Sequence, residues 1–287
     1  MVRVVVTGAS GFLGGFVVEA CAQANISVVP VARRPCPGCV QVRNYTDIPE
    51  GDVLIHLAEE RDRSSAEASG AAYERAAEST LATLLARDWE RVIYASSSVL
   101  YGDTHTAPRK PGASVVINDT YTRVKIHGEK SILATGSGIV VRLANLYGPG
   151  MASSNVVSTI LQQLDQEGPI KVRDTGPVRD FLWIEDAAKA IASIAATEME
   201  GSNIRGIYNV GTGTGISIGE LAQLTCKLAG FPDRQVLATH PSERNSCVVL
   251  DIETTRATWG WAPTTDLSDG IKTLLGYRKL ETEQNHG

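Results

Sequence analysis

No apolar run in the 287-residue sequence is long enough to span a bilayer, which excludes a transmembrane helix and makes membrane association unexpected. Basic residues are not in excess either. The 27 Lys and Arg stand against 32 Asp and Glu, a formal net charge of −5, so nucleic acid is not the expected partner. A Gly-x-Ser-x-Gly elbow is missing, and no Ser–His–Asp hydrolase arrangement suggests itself. Cysteine is scarce, and among the five residues only Cys36-Pro-Gly-Cys39 has motif spacing. A structural zinc site needs a second pair, which is missing, so no metal is expected. Proline and glycine put the pair in a loop rather than in the helical context of a redox motif. Two reduced thiols are the expectation there, with a redox pair as the alternative. The chain enters a strand pattern at once, without the charged and apolar regions of a secretory signal, and a cytoplasmic location is expected.

What is present is ordinary soluble composition, 43% apolar and 21% charged, at a length that suits one large α/β core with a smaller lobe. The chain is organised around its first residues. Val2, Val4, Val5 and Val6 read as a strand buried on both faces. Thr7-Gly8-Ala9-Ser10-Gly11-Phe12-Leu13-Gly14 follows, and then a helical pattern. The first glycine permits a sharp turn, the next a close approach of backbone N–H groups to a pyrophosphate, and the last close helix–sheet packing. A helix N-terminus adds free N–H groups and a positive dipole end. Glycines at this spacing also serve plain tight turns. Strand before and helix after make the segment a good signal for a nicotinamide dinucleotide site. The second strand, Ile26–Val31, runs into Ala32-Arg33-Arg34-Pro35 with no carboxylate to hold ribose hydroxyls. Arg33 and Arg34 can pair with a 2′-phosphate, which favours NADP over NAD; solvated loop arginines are the alternative.

Further along, Val53–Ala58 reads as a strand carrying a core His56, and Ala66–Ala86 as a long helix. Arg91–Ser96 is a strand, Tyr121–Thr135 a helix capped by Asn118-Asp119-Thr120, and Gly138–Leu143 a strand. Strand and helix alternate, which means a doubly wound parallel sheet with helices on both faces. After Gly150 the elements shorten: helices over Val156–Gln166, Ile184–Ala196, Ile218–Ala229 and Leu267–Leu275, strands over Gly206–Val210 and Cys247–Leu250, then a polar tail from Lys279. Residues 1–150 are expected to form the dinucleotide-binding domain, which also receives part of 175–210. Residues 151–287 form mainly a discontinuous substrate lobe, with 279–287 frayed.

Tyr121 and Lys125 stand four apart on one helix face. A free tyrosine is a poor base at neutral pH, and a neighbouring ammonium stabilises its phenolate. The same spacing also occurs in plain surface pairs. Ser96-Ser97-Ser98 ends a strand at the edge where a cofactor should lie. A hydroxyl there can bond the oxygen that exchanges a proton during hydride transfer, or simply a backbone group. Alternation points Ser97 opposite to Ser96 and Ser98.

These features in order resemble the extended short-chain dehydrogenase/reductase superfamily, specifically its NAD(P)-dependent nucleotide-sugar epimerase/dehydratase family. The glycine loop, His56-Leu57-Ala58, Ser96 to Gly102, Tyr121 to Lys125 with Glu129, Arg142 to Gly150, Gly176 to Phe181, Glu185 to Ala187 and Tyr208 to Gly211 carry the resemblance. It implies a Rossmann-type fold with a smaller C-terminal α/β substrate lobe, and a cofactor, NADP or NAD, held by Gly8, Ser10, Gly11, Phe12, Leu13, Gly14, Arg33, Arg34, Leu57 and Ala58. Tyr121 becomes the acid/base, Lys125 its tuner and a ribose ligand, and Ser97 the catalytic serine. Ser97, Ser98, Asn145, Arg179 and Arg244 fall on the side of a nucleotide-diphosphate sugar. Arg179 pairs either with that diphosphate or with Asp180 or Glu185. Family members usually form homodimers through the helices near Ala66–Ala86 and Tyr121–Thr135. Ser98 and Val99 stand where 4,6-dehydratases carry Asp-Glu, so that reaction is not expected. The resemblance implies an epimerase acting through a transient 4-keto sugar. An NADPH-dependent 4-keto-sugar reductase and a non-catalytic dinucleotide sensor are the alternatives.

Overall fold

The computed structural model describes residues 2–197 and 204–284, with side chains as far as residue 278. Its first half alternates strand and helix. The elements are β1 (Arg3–Thr7), α1 (Phe12–Gln23), β2 (Ser27–Ala32), β3 (Val40–Gln41), β4 (Val53–His56), α2 (Arg63–Leu85), β5 (Arg91–Ser97), α3 (Thr120–Leu133) and β6 (Gly138–Leu143). Shorter pieces follow: β7 (Asn145–Tyr147), α4 (Val156–Gln162), β8 (Ile170–Val172), β9 (Val178–Arg179), β10 (Phe181–Trp183) and α5 (Ile184–Ala196). The chain continues with β11 (Gly206–Val210), β12 (Ile216–Ser217), α6 (Ile218–Leu228), β13 (Val236–Ala238), β14 (Cys247–Val248), α7 (Glu253–Trp259) and α8 (Leu267–Gln284).

One parallel seven-stranded sheet, ordered β11-β6-β5-β4-β1-β2-β3, forms the frame. Val4, Val5 and Val6 of β1 are wholly buried because the sheet is covered twice, whereas Val2, expected in the same run, precedes the strand and is exposed. Val4, Val6, Ile55 and Ile93 face one core with Val17 of α1 and Ile191 of α5. Val5, Leu54 and Val92 face the other with Leu81 and Leu84 of α2 and Ile132 of α3. Registers Thr7↔His56 and His56↔Tyr94 bring the carboxyl ends of β1, β4 and β5 to one edge, where such folds bind ligands. A third core joins Tyr147, Ile160, Trp183, Leu221 and Ile271 of the later elements. No helix among the described residues is long and apolar enough to cross a membrane.

Helix α1 buries Gly14, Val17, Ala20 and Cys21, while Phe12 and Phe16 meet edge to face at 6.4 Å on the cleft side. Several local expectations are corrected. The long helix α2 is broken at Gly70, whose φ of 48° and ψ of −134° are not helical. The last helix does not stop at Leu275 but runs to Gln284, so only residues 285–287 of the expected frayed tail lie outside the described residues. Cys36 and Cys39 are not reduced thiols; they form a disulfide. Gly38, at φ 72°, turns the loop so that Cys39 N–H donates to Cys36 O at 3.1 Å. The two Cα atoms thereby come to 5.4 Å, within bonding reach.

Candidate active site

The glycine loop closes tightly at the carboxyl end of β1. Gly8 has φ 77°, and a Cβ there would meet Leu57 C and O at 2.8 Å and Ala58 N at 2.9 Å. A Cβ on Gly14 would overlap Gly8 O, so the helix rests directly on the turn, as the spacing requires. Gly11 N–H donates to Gly8 O at 2.9 Å. Beyond the loop opens a cleft of about 1380 Å³. From the loop Gly8, Ser10, Gly11 and Phe12 line it, and from neighbouring strand ends Arg33, Arg34, Leu57 and Ala58. Leu13 packs into the core behind, and Gly14 is buried. His56 is a core residue, with Nδ1 2.7 Å from Thr7 Oγ1. Burial pushes its pKa down to about 4; the Glu59 charge opposes this, while Lys125 and Arg33 add to it.

Helix α3 presents the expected pair. Asp119 caps it by accepting from Thr122 N at 2.8 Å, in a box that Thr122 Oγ1 completes. Thr120 N–H donates to Glu67 of α2 at 2.8 Å, and Arg63 of α2 pairs with Asp119. Tyr121 thus starts a helix tied down at its first turn, with its ring buried to 9% exposure. Lys125 Nζ lies 5.7 Å from the Tyr121 ring centroid and 5.1 Å from that of Tyr94. It donates to Ala95 O at 2.7 Å and pairs with Glu59 Oε2 at 2.8 Å. Burial disfavours this ammonium, but the Glu59 carboxylate and Tyr121 outweigh burial and hold its pKa above the ordinary lysine value. Ser97 ends β5 and accepts from Val99 N at 3.3 Å, capping the short turn Ser98–Tyr101. Ser96 and Ser98 are buried; Ser96 Oγ donates to Glu129 Oε1 at 2.5 Å. Glu129 in turn takes two bonds from Arg142, at 2.8 and 2.6 Å, and the guanidinium lies 4.7 Å from the Tyr101 ring centroid.

A second cleft of about 670 Å³ gathers Asn145, Arg179 and Arg244. Asn145 Nδ2 donates to Asp180 O at 3.1 Å. The side-chain partners expected for Arg179, Asp180 or Glu185, are not its partners. Asp180 instead accepts from Thr212 N, Gly213 N and Leu250 N, and burial raises its pKa. Arg179 donates to Ser246 Oγ at 2.7 Å and lies 3.8 Å from Asp103 Oδ2, which Arg244 approaches at 2.7 Å. Ser97, Ser98, Tyr121 and Lys125 line neither cleft; Glu59 and Tyr73 are the neighbours of Lys125 that line the larger one. Two site residues escaped sequence reasoning, Glu59 and Asp103. Each is an acid placed just after a stretch that had been read, Leu57-Ala58 in one case and Tyr101-Gly102 in the other. Among the described residues no cluster of His, Cys, Asp or Glu could hold a metal.

Known proteins share this fold. A putative UDP-glucose 4-epimerase of Methanocaldococcus jannaschii is 24% identical over 96% of this chain and 98% of its own. A GDP-L-fucose synthase of Sinorhizobium fredii is 28% identical over 63% of this chain, which spans 63% of that protein's length. The solved UDP-glucose 4-epimerase of Thermotoga maritima with UDP-glucose superposes with a TM-score of 0.85 at 20% identity, covering 98% and 99% of the two chains, a likeness of fold. Residues 4–211, which hold the glycine loop and the Tyr121–Lys125 pair, match the NAD dependent epimerase/dehydratase family, and to that family the chain belongs.

Proposed function

We propose that the protein is a nucleotide-sugar epimerase that works by hydride transfer at a sugar carbon through a transient 4-keto sugar. The observation that carries this reading is the pair on α3. Tyr121 and Lys125 lie at the carboxyl edge of the sheet, the ammonium within 5.7 Å of the phenol ring, beside a cradle that only glycine fits. The cradle suits a dinucleotide pyrophosphate, with the N-terminus of α1 facing it and Arg33 and Arg34 at the far end. The bound dinucleotide supplies a hydride acceptor and donor. Tyr121 takes the sugar hydroxyl proton and later returns it, and Lys125 attracts the negative charge that builds on the phenol oxygen in between. Ser97, whose hydroxyl caps the turn after β5, would bond the reacting oxygen. Arg179 and Arg244 offer guanidiniums to a diphosphate, a charge-assisted contact. Ser98 and Val99 supply no acid for elimination, which argues against a 4,6-dehydratase.

A 4-keto-sugar reductase using NADPH is the second reading, favoured by Arg33 and Arg34 both lining the cleft with no carboxylate at the end of β2. A homodimer through α2 and α3, carried over from the resemblance, belongs to either reading. One experiment covers both. Purified protein is assayed with NDP-hexoses and its released dinucleotide identified, alongside Tyr121→Phe. Retained NAD(H) with epimer formation is the expected result. An empty site that prefers NADPH to NADH establishes the reductase. Tyr121→Phe should bind dinucleotide like the parent and lose turnover by ~100-fold or more; retained turnover refutes the acid/base role.

A further inference from the structure

The Glu59 carboxylate stands where neither the proposed chemistry nor the packing of an apolar core requires a charge. It sits on the loop after β4, lines the large cleft, and is 7% exposed. Its Oε2 is 2.8 Å from Lys125 Nζ. Tyr94 on β5 donates its hydroxyl to both carboxylate oxygens, at 2.9 and 2.7 Å. Tyr94 is itself fixed. His56 stacks on its ring at 6.1 Å between centroids, and its hydroxyl passes beneath Gly128 of α3, where any Cβ would collide with it. Strand, loop and helix therefore converge on one carboxylate.

We propose that Glu59 is a positioning residue of the active site, anchoring the Lys125 ammonium from the floor of the cleft so that one of its N–H groups remains for the dinucleotide and Tyr121. An ammonium has three donors. Glu59 takes one and Ala95 O another, at 2.8 and 2.7 Å, which fixes the direction of the third. A buried ammonium without its carboxylate is uncompensated, and burial then favours its neutral form. The other ionisable groups around it are Tyr121 on its own helix, Tyr94 on β5, His56 on β4 and Tyr73 on α2, with Arg33 acting on His56 from the end of β2. His56 is held neutral by burial, so Glu59 is the one carboxylate among the described residues that pairs with Lys125. Its charge also offsets the pull of Lys125 on the Tyr121 oxygen. Any consequence for turnover rests on the function proposed above; the state of Lys125 does not.

The test uses the full chain labelled with 13Cε-lysine, the Lys125 resonance being assigned by its loss in Lys125→Met. In the parent, Lys125 should keep its charged shift to the highest pH at which the fold persists. In Glu59→Gln, which keeps the shape and loses the charge, Lys125 should release its proton at least about one pH unit earlier, tenfold in proton affinity. Superimposable titrations overturn the proposal. Glu59→Asp keeps the charge and withdraws it by one methylene. It should hold Lys125 protonated like the parent yet bind NADPH or NADH several-fold more weakly. Unchanged affinity in Glu59→Asp also overturns the proposal, and this variant decides if Glu59→Gln does not fold. Where the parent turns over an NDP-hexose, the alkaline limb of kcat/KM should move to lower pH in Glu59→Gln and stay in place in Glu59→Asp. A parent without turnover refutes the reaction and leaves the Lys125 titration to judge Glu59.

Discussion

Gly128→Ala separates helix propensity from packing, because the two effects have opposite signs here. Gly128 lies inside α3, where alanine is favoured over glycine by about 1 kcal/mol. Were the site open, the substitution would stabilise the protein. Instead the new Cβ would overlap the Tyr94 hydroxyl and Cζ and stand 2.9 Å from Cε1. Tyr94 cannot yield cheaply, since its hydroxyl is bonded to Glu59 at 2.7 Å and its ring is wholly buried against His56. Overpacking of a fixed core side chain costs about 1–3 kcal/mol. After the propensity gain, Gly128→Ala should leave the chain between unchanged and roughly 2 kcal/mol less stable, instead of about 1 kcal/mol more stable. Urea unfolding followed by far-UV circular dichroism reads this from the midpoint at unchanged slope. The same substitution on a Tyr94→Phe background, where the hydroxyl is gone, should cost less by at least about 0.5 kcal/mol, a coupling of the size contacting residues show. A Gly128→Ala protein more stable than the parent, or an equal change in both backgrounds, would refute the packing argument.

The neutral, buried His56 makes stability depend on acid. Its pKa of about 4 lies below the ordinary value of 6.5, so the unfolded chain binds the extra proton first. Stability is complete above the unfolded value and is lost as pH falls towards 4, by about 2 kcal/mol between about pH 7 and about pH 5. Urea midpoints at those two pH values measure it, and His56→Gln should show a flatter slope; an equal slope would assign the effect elsewhere. Glu129→Ala strands the Arg142 guanidinium, whose side chain is 3% exposed, and should cost about 3–5 kcal/mol in the same assay. A loss under about 1 kcal/mol would mean that water replaces the carboxylate.

What was legible in the sequence is what neighbours in the chain decide. The valine run, the glycine spacing and the four-residue step from Tyr121 to Lys125 are local patterns, and they led to the sheet, the glycine turn and the helix face that brings Lys125 beside Tyr121. Lys125 is charged and near Tyr121 by helix geometry alone, but its actual partners come from elsewhere. Glu59 reaches it because β4 and β5 lie parallel, in register at His56↔Tyr94, so that the loop after β4 opens beside α3. Arg179 shows the same limit from the other side. Acids one and six residues away were the natural candidates, yet β9 lies between β12 and β14. That placement gives Arg179 to Ser246 and Asp103 and leaves Asp180 to the loop after β11. The disulfide likewise depended on a turn at Gly38 that composition did not reveal. Charges in a cleft are compensated across the fold rather than along the chain, because desolvation penalises any ion left without a partner and strand register decides which partner is in reach. The residues that set the electrostatics of this site are therefore those that a sequence pattern identifies least well, and Glu59 is the first of them to alter.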